Sequence, residues 1–184
     1  RRRGSGVNTP FRLSLAEHFD ARVRSQPQAA AVDDGRESLD YATLDARVRR
    51  VAGALAGAGI GPGDRVALWS ENRLDVLLLE LAVARLGAII ACLNWRLSAA
   101  EQRHCIRLVA PALLIVSDRH ADAAAQVDHG APRVLRLGEE FDRLCADATP
   151  HEGDPASDPE AGHVILYTSG TTGLPKGALI SQRA

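Results

Sequence analysis

The sequence predicts an α/β fold, a layered parallel sheet with helices on both faces. Three observations predict it. Short apolar runs recur between Asp64 and Leu137, each followed by a segment of helical spacing. The runs are apolar throughout rather than alternating, as in strands buried on both faces. Strand–helix alternation of this kind implies right-handed crossover units and a parallel sheet.

In chain order, Leu13 to Arg24 reads as an amphipathic helix, with Leu15, Phe19 and Val23 on one stripe. Ala30-Ala31-Val32, the turn signal Asp34-Gly35 and Ser38-Leu39 read as a hairpin. Asp40 is placed to cap a helix whose apolar stripe runs through Leu44, Val48, Val51 and Leu55 and which ends at Gly57 or Gly59. The glycine run from Gly57 to Gly63 follows a helix and opens a strand. A dinucleotide loop needs the reverse order, so the run is a helix stop and a turn. Then come strand Val66–Trp69, helix Arg73–Leu86, strand Ala88–Leu93, and helix Ala99–Val109 with Ser98 as its cap. Strand Leu113–Val116, a short helix near Asp118–Gln126, strand Arg133–Leu137 and helix Glu139–Ala146 complete this part.

The expected organisation is a leader over 1–12, disordered or engineered, an α/β subdomain over 13–146, and a polar linker over 147–162. The last piece, 163–184, holds strand Val164–Tyr167 and a loop, the start of a further subdomain. The chain has 184 residues but no Met, begins Arg1-Arg2-Arg3, and stops soon after that loop. It therefore reads as part of a longer polypeptide.

Composition narrows the function classes. Apolar residues at 46% and charged residues at 24% fit a globular protein with a real core. A net charge of −1 supplies no basic field, so nucleic acid is not an expected partner. The apolar stretch from Val76 to Leu93 is interrupted by Glu80, Arg85 and Gly87 and reads as a buried helix and strand, not a transmembrane segment. Cys92, Cys105 and Cys145 are odd in number and lack C-x-x-C spacing, which predicts reduced thiols and a cytoplasmic location. None of the six histidines has metal-ligand spacing, so each is read as structural and no metal site is expected.

The chemistry concentrates in Thr168-Ser169-Gly170-Thr171-Thr172-Gly173-Leu174-Pro175-Lys176-Gly177. Glycines allow positive φ and close approach of backbone N–H groups to an anion. The hydroxyls donate to phosphate oxygens, and Lys176 supplies a mobile positive charge. A glycine-rich turn at the carboxyl end of a parallel strand is where α/β sheets bind ligands. The loop is not a P-loop: Pro175 stands where the second glycine would be, and Gly177 follows the lysine.

Tyr167 to Gly177 resembles the phosphate-loop signature of the adenylate-forming superfamily. Leu39 to Leu44, Gly61 to Ala67, Gly87-Ala88 and Leu93 to Ser98 resemble its upstream segments in the expected order. Asn94-x-Arg96-Leu97 with Glu101 resembles the acyl-CoA synthetase branch. The resemblance implies the N-terminal part of the large domain of such an enzyme. It implies ATP, Mg²⁺ and CoA as co-substrates and a small carboxylic acid as the molecule activated. The phosphate-binding residues it implies are Thr168, Ser169, Gly170, Thr171, Thr172, Gly173 and Lys176. The family's catalytic residues lie downstream of the loop, so none is expected here, and the 184 residues alone are expected to be inactive. An amino-acid or aryl-acid adenylation domain of a peptide synthetase, and a non-catalytic nucleotide-binding module, are the alternatives. Strand edges of an incomplete sheet allow a homodimer. Gln182 stands where many relatives carry His beside the acyl pocket, which leaves a structural amide as one reading of that position.

Overall fold

The structure is a computed structural model that describes residues 13–168 and 173–183. Strand β3 (Arg65–Trp69), helix α3 (Leu74–Leu86), strand β4 (Ile89–Cys92), helix α4 (Ala99–Val109) and strand β5 (Leu113–Ser117) follow one another as expected. A 3₁₀ turn (Asp118–His120), helix α5 (Ala121–Ala125), strand β6 (Val134–Leu137), helix α6 (Glu139–Asp147), strand β7 (Gly162–Thr168) and strand β8 (Lys176–Ser181) follow. Ahead of them lie α1 (Leu15–Ser25), β1 (Ala30–Asp33), β2 (Ser38–Asp40) and α2 (Tyr41–Gly57). The predicted leader over 1–12 falls outside the described residues.

Six strands form one sheet in the order β6-β5-β3-β4-β7-β8, and β1 and β2 form a separate antiparallel pair. Strands β3 to β7 pair in parallel, with Val66 beside both Ile90 and Leu113 and with Ile90 beside Val164. The sheet is parallel except at its last strand, β8, which runs antiparallel to β7. The connection over 169–175 explains it: a hairpin can be this short, whereas a parallel return needs a crossover of a dozen or more residues. Strands β7 and β8 thus extend the same sheet as β3 to β6.

Both faces of the sheet are covered. Helices α2, α3 and α6 bury Val48, Leu55, Leu79 and Phe141 against Val66, Ile90, Ile115 and Leu137. Helix α4 buries Cys105 and Ile106 against Ala67, Leu114 and Val116 on the other. The helix limits follow local chemistry. Ser98 and Glu101 form a reciprocal capping box at α4, as Ser14 and Glu17 do at α1. Asp40 accepts the Thr43 amide at 2.8 Å. Gly87, at φ +67°, ends α3 in the left-handed region.

Helix α1 departs from its predicted stripe. Its buried positions are Ala16 and Asp20, with Phe19 only partly buried against the core. The reason is Arg85, a buried guanidinium in α3 that ion-pairs with Asp20 and lies 3.4 Å from Asp45 of α2. Residues 148–161 hold no helix or strand, but hydrogen bonds fix them to the helices. The Ser14 hydroxyl donates to the Ala156 carbonyl (2.7 Å), Arg85 to the Gly153 carbonyl (3.1 Å), and the His151 amide to the Arg49 carbonyl (2.8 Å). No helix among the described residues is long and apolar enough to cross a membrane.

Candidate functional site

Strand β7 delivers Thr168 to the carboxyl edge of the sheet, and β8 leaves that edge at Lys176. The two residues are register partners, so they face each other at the mouth of the loop. Both are exposed. Gly173 sits at φ +97° with open space where a Cβ would project. Its requirement for glycine is therefore conformational rather than steric. Ser169, Gly170, Thr171 and Thr172, the other predicted phosphate ligands, lie outside the described residues.

Each described arm of the loop is tied to α4. On the incoming arm the Tyr167 hydroxyl donates to the Cys105 carbonyl at 3.0 Å. Burial pushes the Tyr167 phenol above its ordinary pKa, with the Cys105 and Cys92 sulfurs adding to the effect, so the proton that makes this bond is held at neutral pH. On the outgoing arm His104 Nε2 lies 3.0 Å from the Pro175 carbonyl. A carbonyl only accepts, so Nε2 carries the proton and donates. Sequence reasoning grouped His104 with five structural histidines. Its contact spans 71 residues of chain, and no local pattern announces it.

Two cavities flank the arms. One, of about 340 Å³, lies between the loop and the start of α4 and is lined by Asn94, Leu97, Glu101, Thr168 and Gly173. Its floor is fixed by the Gln102 amide on the Asn94 carbonyl (2.7 Å) and the Arg96 amide on the Asn94 side chain (3.1 Å). The Ser98 hydroxyl and amide hold the Glu101 carboxyl below the usual carboxylate range. The other cavity, of about 650 Å³, is an apolar groove between α4 and β8, lined by His104, Leu108, Ile165, Leu174 and Leu179. Lys176 and Arg65 are its cations.

Further along the carboxyl edge, His120 is stacked between Trp69 and Trp95, with centroids 6.1 and 5.8 Å away. The Arg96 guanidinium lies 4.3 Å from the centre of the Trp95 ring. Gln182 is buried, and its amide nitrogen donates to the Ala84 carbonyl at 3.1 Å, the geometry of a structural amide. No group of three or more His, Cys, Asp or Glu that could hold a metal ion occurs among the described residues.

A mostly parallel sheet with helices on both faces and an antiparallel strand at one edge defines a protein of the α/β class. The chain belongs to the AMP-binding enzyme family, which matches residues 19–184. It is similar to the indoleacetate–CoA ligase of Aromatoleum aromaticum, at 36% identity over 94% of this chain and 36% of that protein. It is similar to the fatty acid–[acyl-carrier-protein] ligase ScoC of Streptomyces coeruleorubidus, at 32% identity over 97% of this chain and 35% of that protein. The inhibitor-bound N-terminal domain of FACL13 from Mycobacterium tuberculosis superposes with a TM-score of 0.84 at 27% identity, covering 92% of this chain and 44% of that one. The chain thus spans about a third of the length of the curated relatives it matches.

Proposed function

We propose that this chain is the phosphate-gripping part of an AMP-forming carboxylate–CoA ligase. The observation that carries the reading is Thr168 facing Lys176 across the hairpin at the carboxyl end of β7. That arrangement sets a hydroxyl and a cation at the two ends of a segment whose sequence is rich in glycines and hydroxyls, a composition suited to holding a polyphosphate. Thr168, Gly173 and Lys176, with Ser169, Gly170, Thr171 and Thr172 between them, hold the β- and γ-phosphates of ATP. Mg²⁺ enters with the nucleotide, as its counterion.

In the first step a substrate carboxylate oxygen attacks the α-phosphorus. The bond from that phosphorus to the bridging oxygen breaks, and pyrophosphate leaves. Lys176 and the loop donors stabilise the charge that grows on the leaving group. In the second step the CoA thiolate attacks the acyl carbon of the adenylate and AMP leaves. The CoA-ligase relatives support this reading, and the three free thiols are consistent with action in the cytoplasm.

Carboxylate-dependent ATP–pyrophosphate exchange tests it. The longer polypeptide carries out exchange, the 184 residues alone do not, and Lys176→Ala in the longer polypeptide lowers the rate about 10- to 100-fold. An unchanged rate in Lys176→Ala removes the phosphate-grip assignment. Exchange by the 184-residue chain overturns its proposed inactivity. A panel of aryl, fatty and dicarboxylic acids identifies the substrate. One relative's name specifies an acyl-carrier-protein acceptor, which supports a second reading with a carrier thiol in place of CoA. Thioester formation on each acceptor separates the two. A homodimer through the outer edge of β8 belongs to the same proposal, and sedimentation checks it.

A further inference from the structure

We infer that His104 is a positioning residue for the phosphate grip, fixing Lys176 by holding the carbonyl of Pro175. The inference rests on the reading of the loop given above.

Pro175 is buried and has no backbone N–H, and β8 begins only at Lys176. Its carbonyl is the one backbone group it can use, and the donor that meets it is His104. The following residue of α4, Cys105, accepts from Tyr167 on the opposite arm. Two consecutive residues of one helix therefore hold the strand entering the loop and the strand leaving it. Ser98 and Glu101 in turn fix the start of that helix by a capping box. A cationic side chain one residue from a fixed carbonyl has less freedom to lose when it meets a phosphate, so its contact is worth more. Because the bond uses Nε2–H, it exists in both the neutral ring and the imidazolium. What it needs at position 104 is a donor, not a charge.

The test compares the 184-residue chain with His104→Phe, which keeps the bulk and removes the donor, His104→Gln, which restores one, and Lys176→Ala. Affinity for Mg·ATP is read by titration calorimetry, and amide exchange is read at Gly173, Leu174, Lys176 and Gly177. His104→Phe should weaken binding about 3- to 10-fold and speed exchange at those four amides by a similar factor. Protection in β3, β4 and β5 should stay unchanged. His104→Gln should return both readouts to within about twofold of the parent, a rescue that loss of packing alone does not give. Parental affinity and exchange in His104→Phe, together with weakened binding in Lys176→Ala, overturn the role of His104 and leave the phosphate grip standing. Parental affinity in Lys176→Ala overturns the grip, whereas no binding by the 184-residue parent moves the affinity comparison to the longer polypeptide. The exchange rates then decide by themselves whether His104 holds the arm.

Discussion

Arg85 of α3, only 3% exposed, ion-pairs with Asp20 of α1 and reaches towards Asp45 of α2, so one buried guanidinium joins three helices. Taking these charges from water is costly, and their attraction does little more than offset it. Removing one partner is different, because the remaining charge is left buried alone. Asp45 keeps Arg49 at 2.7 Å, whereas among the described residues Asp20 ion-pairs with Arg85 alone. Arg85→Met should therefore destabilise the chain by about 3–5 kcal/mol, read as a lower urea midpoint. Adding Asp20→Leu to that variant should restore much of the loss. A single variant within about 1 kcal/mol of the parent would show that water already reaches the cluster.

Gly53 makes a sharper case, because two effects oppose each other. Within an exposed helix, Gly→Ala stabilises by roughly 1 kcal/mol through propensity. A Cβ at Gly53, however, would overlap the carbonyl of Thr149 and come within 3.3 Å of the His151 amide. Those are backbone atoms of a segment held by the bond from His151 to Arg49, so they cannot yield as a flexible side chain would. Gly53→Ala should lower stability by about 1–3 kcal/mol and loosen residues 148–153, seen as faster amide exchange there. A rise in stability would mean that the segment moves aside at little cost.

Local chemistry explains which parts of this fold were legible in the sequence. Helix α4 was read to the residue, from Ala99 to Val109, because Ser98 and Glu101 form a contiguous capping signal. The β1–β2 pair follows from Asp34-Gly35, with Gly35 at φ +80°. The predicted helix near Asp118–Gln126 divides into a 3₁₀ turn and the short α5, where His120 turns inward between two indoles. The order of the parallel strands and the bonds that tie His104 to the loop and Tyr167 to α4 join residues far apart in the chain. No window of sequence contains both partners. The loop composition pointed to phosphate chemistry, but not to the helix that holds its arms.

The three thiols should be slow to react. Burial pushes Cys92 and Cys105 up to about 11 and Cys145 up to about 12, with Glu80, Glu101 and Asp142 respectively adding repulsion against the thiolate. At pH 8 the thiolate fraction is then about 100-fold smaller than in an unfolded chain for Cys92 and Cys105 and about 1,000-fold smaller for Cys145, since each unit is a factor of ten. Labelling by an aromatic disulfide should be correspondingly slow in buffer and fast in urea. Above pH 9 the unfolded chain releases thiol protons that the folded chain keeps, so stability should fall as the pH rises from 9 towards 11. A cysteine that labels equally fast in both solvents would lie outside the core that encloses it here.

His120 sets the response to acid. Burial between Trp69 and Trp95 lowers its pKa, and Arg119 works in the same direction. The Glu71 carboxylate, 3.6 Å from Nε2, opposes them. Burial raises the Glu71 carboxyl, but its bond from the Ser117 hydroxyl, its own backbone amide and nearby positive charge together bring it below the ordinary value. The depressed histidine gives the sign. The unfolded chain takes up this proton near pH 6.5, whereas the folded chain does so only at lower pH. The stability His120 contributes is therefore present above pH 6.5 and is lost as the pH falls through the folded-state value. His120→Phe keeps the stack and removes the titration. Urea midpoints of the two proteins between pH 7.5 and 5, followed by tryptophan emission, should converge as the pH falls, because only the parent loses this contribution. Both of the chain's tryptophans flank the ring, so emission reports on this site. Parallel midpoint curves would show that Glu71 compensates fully for burial and that His120 titrates alike in the folded and unfolded chains.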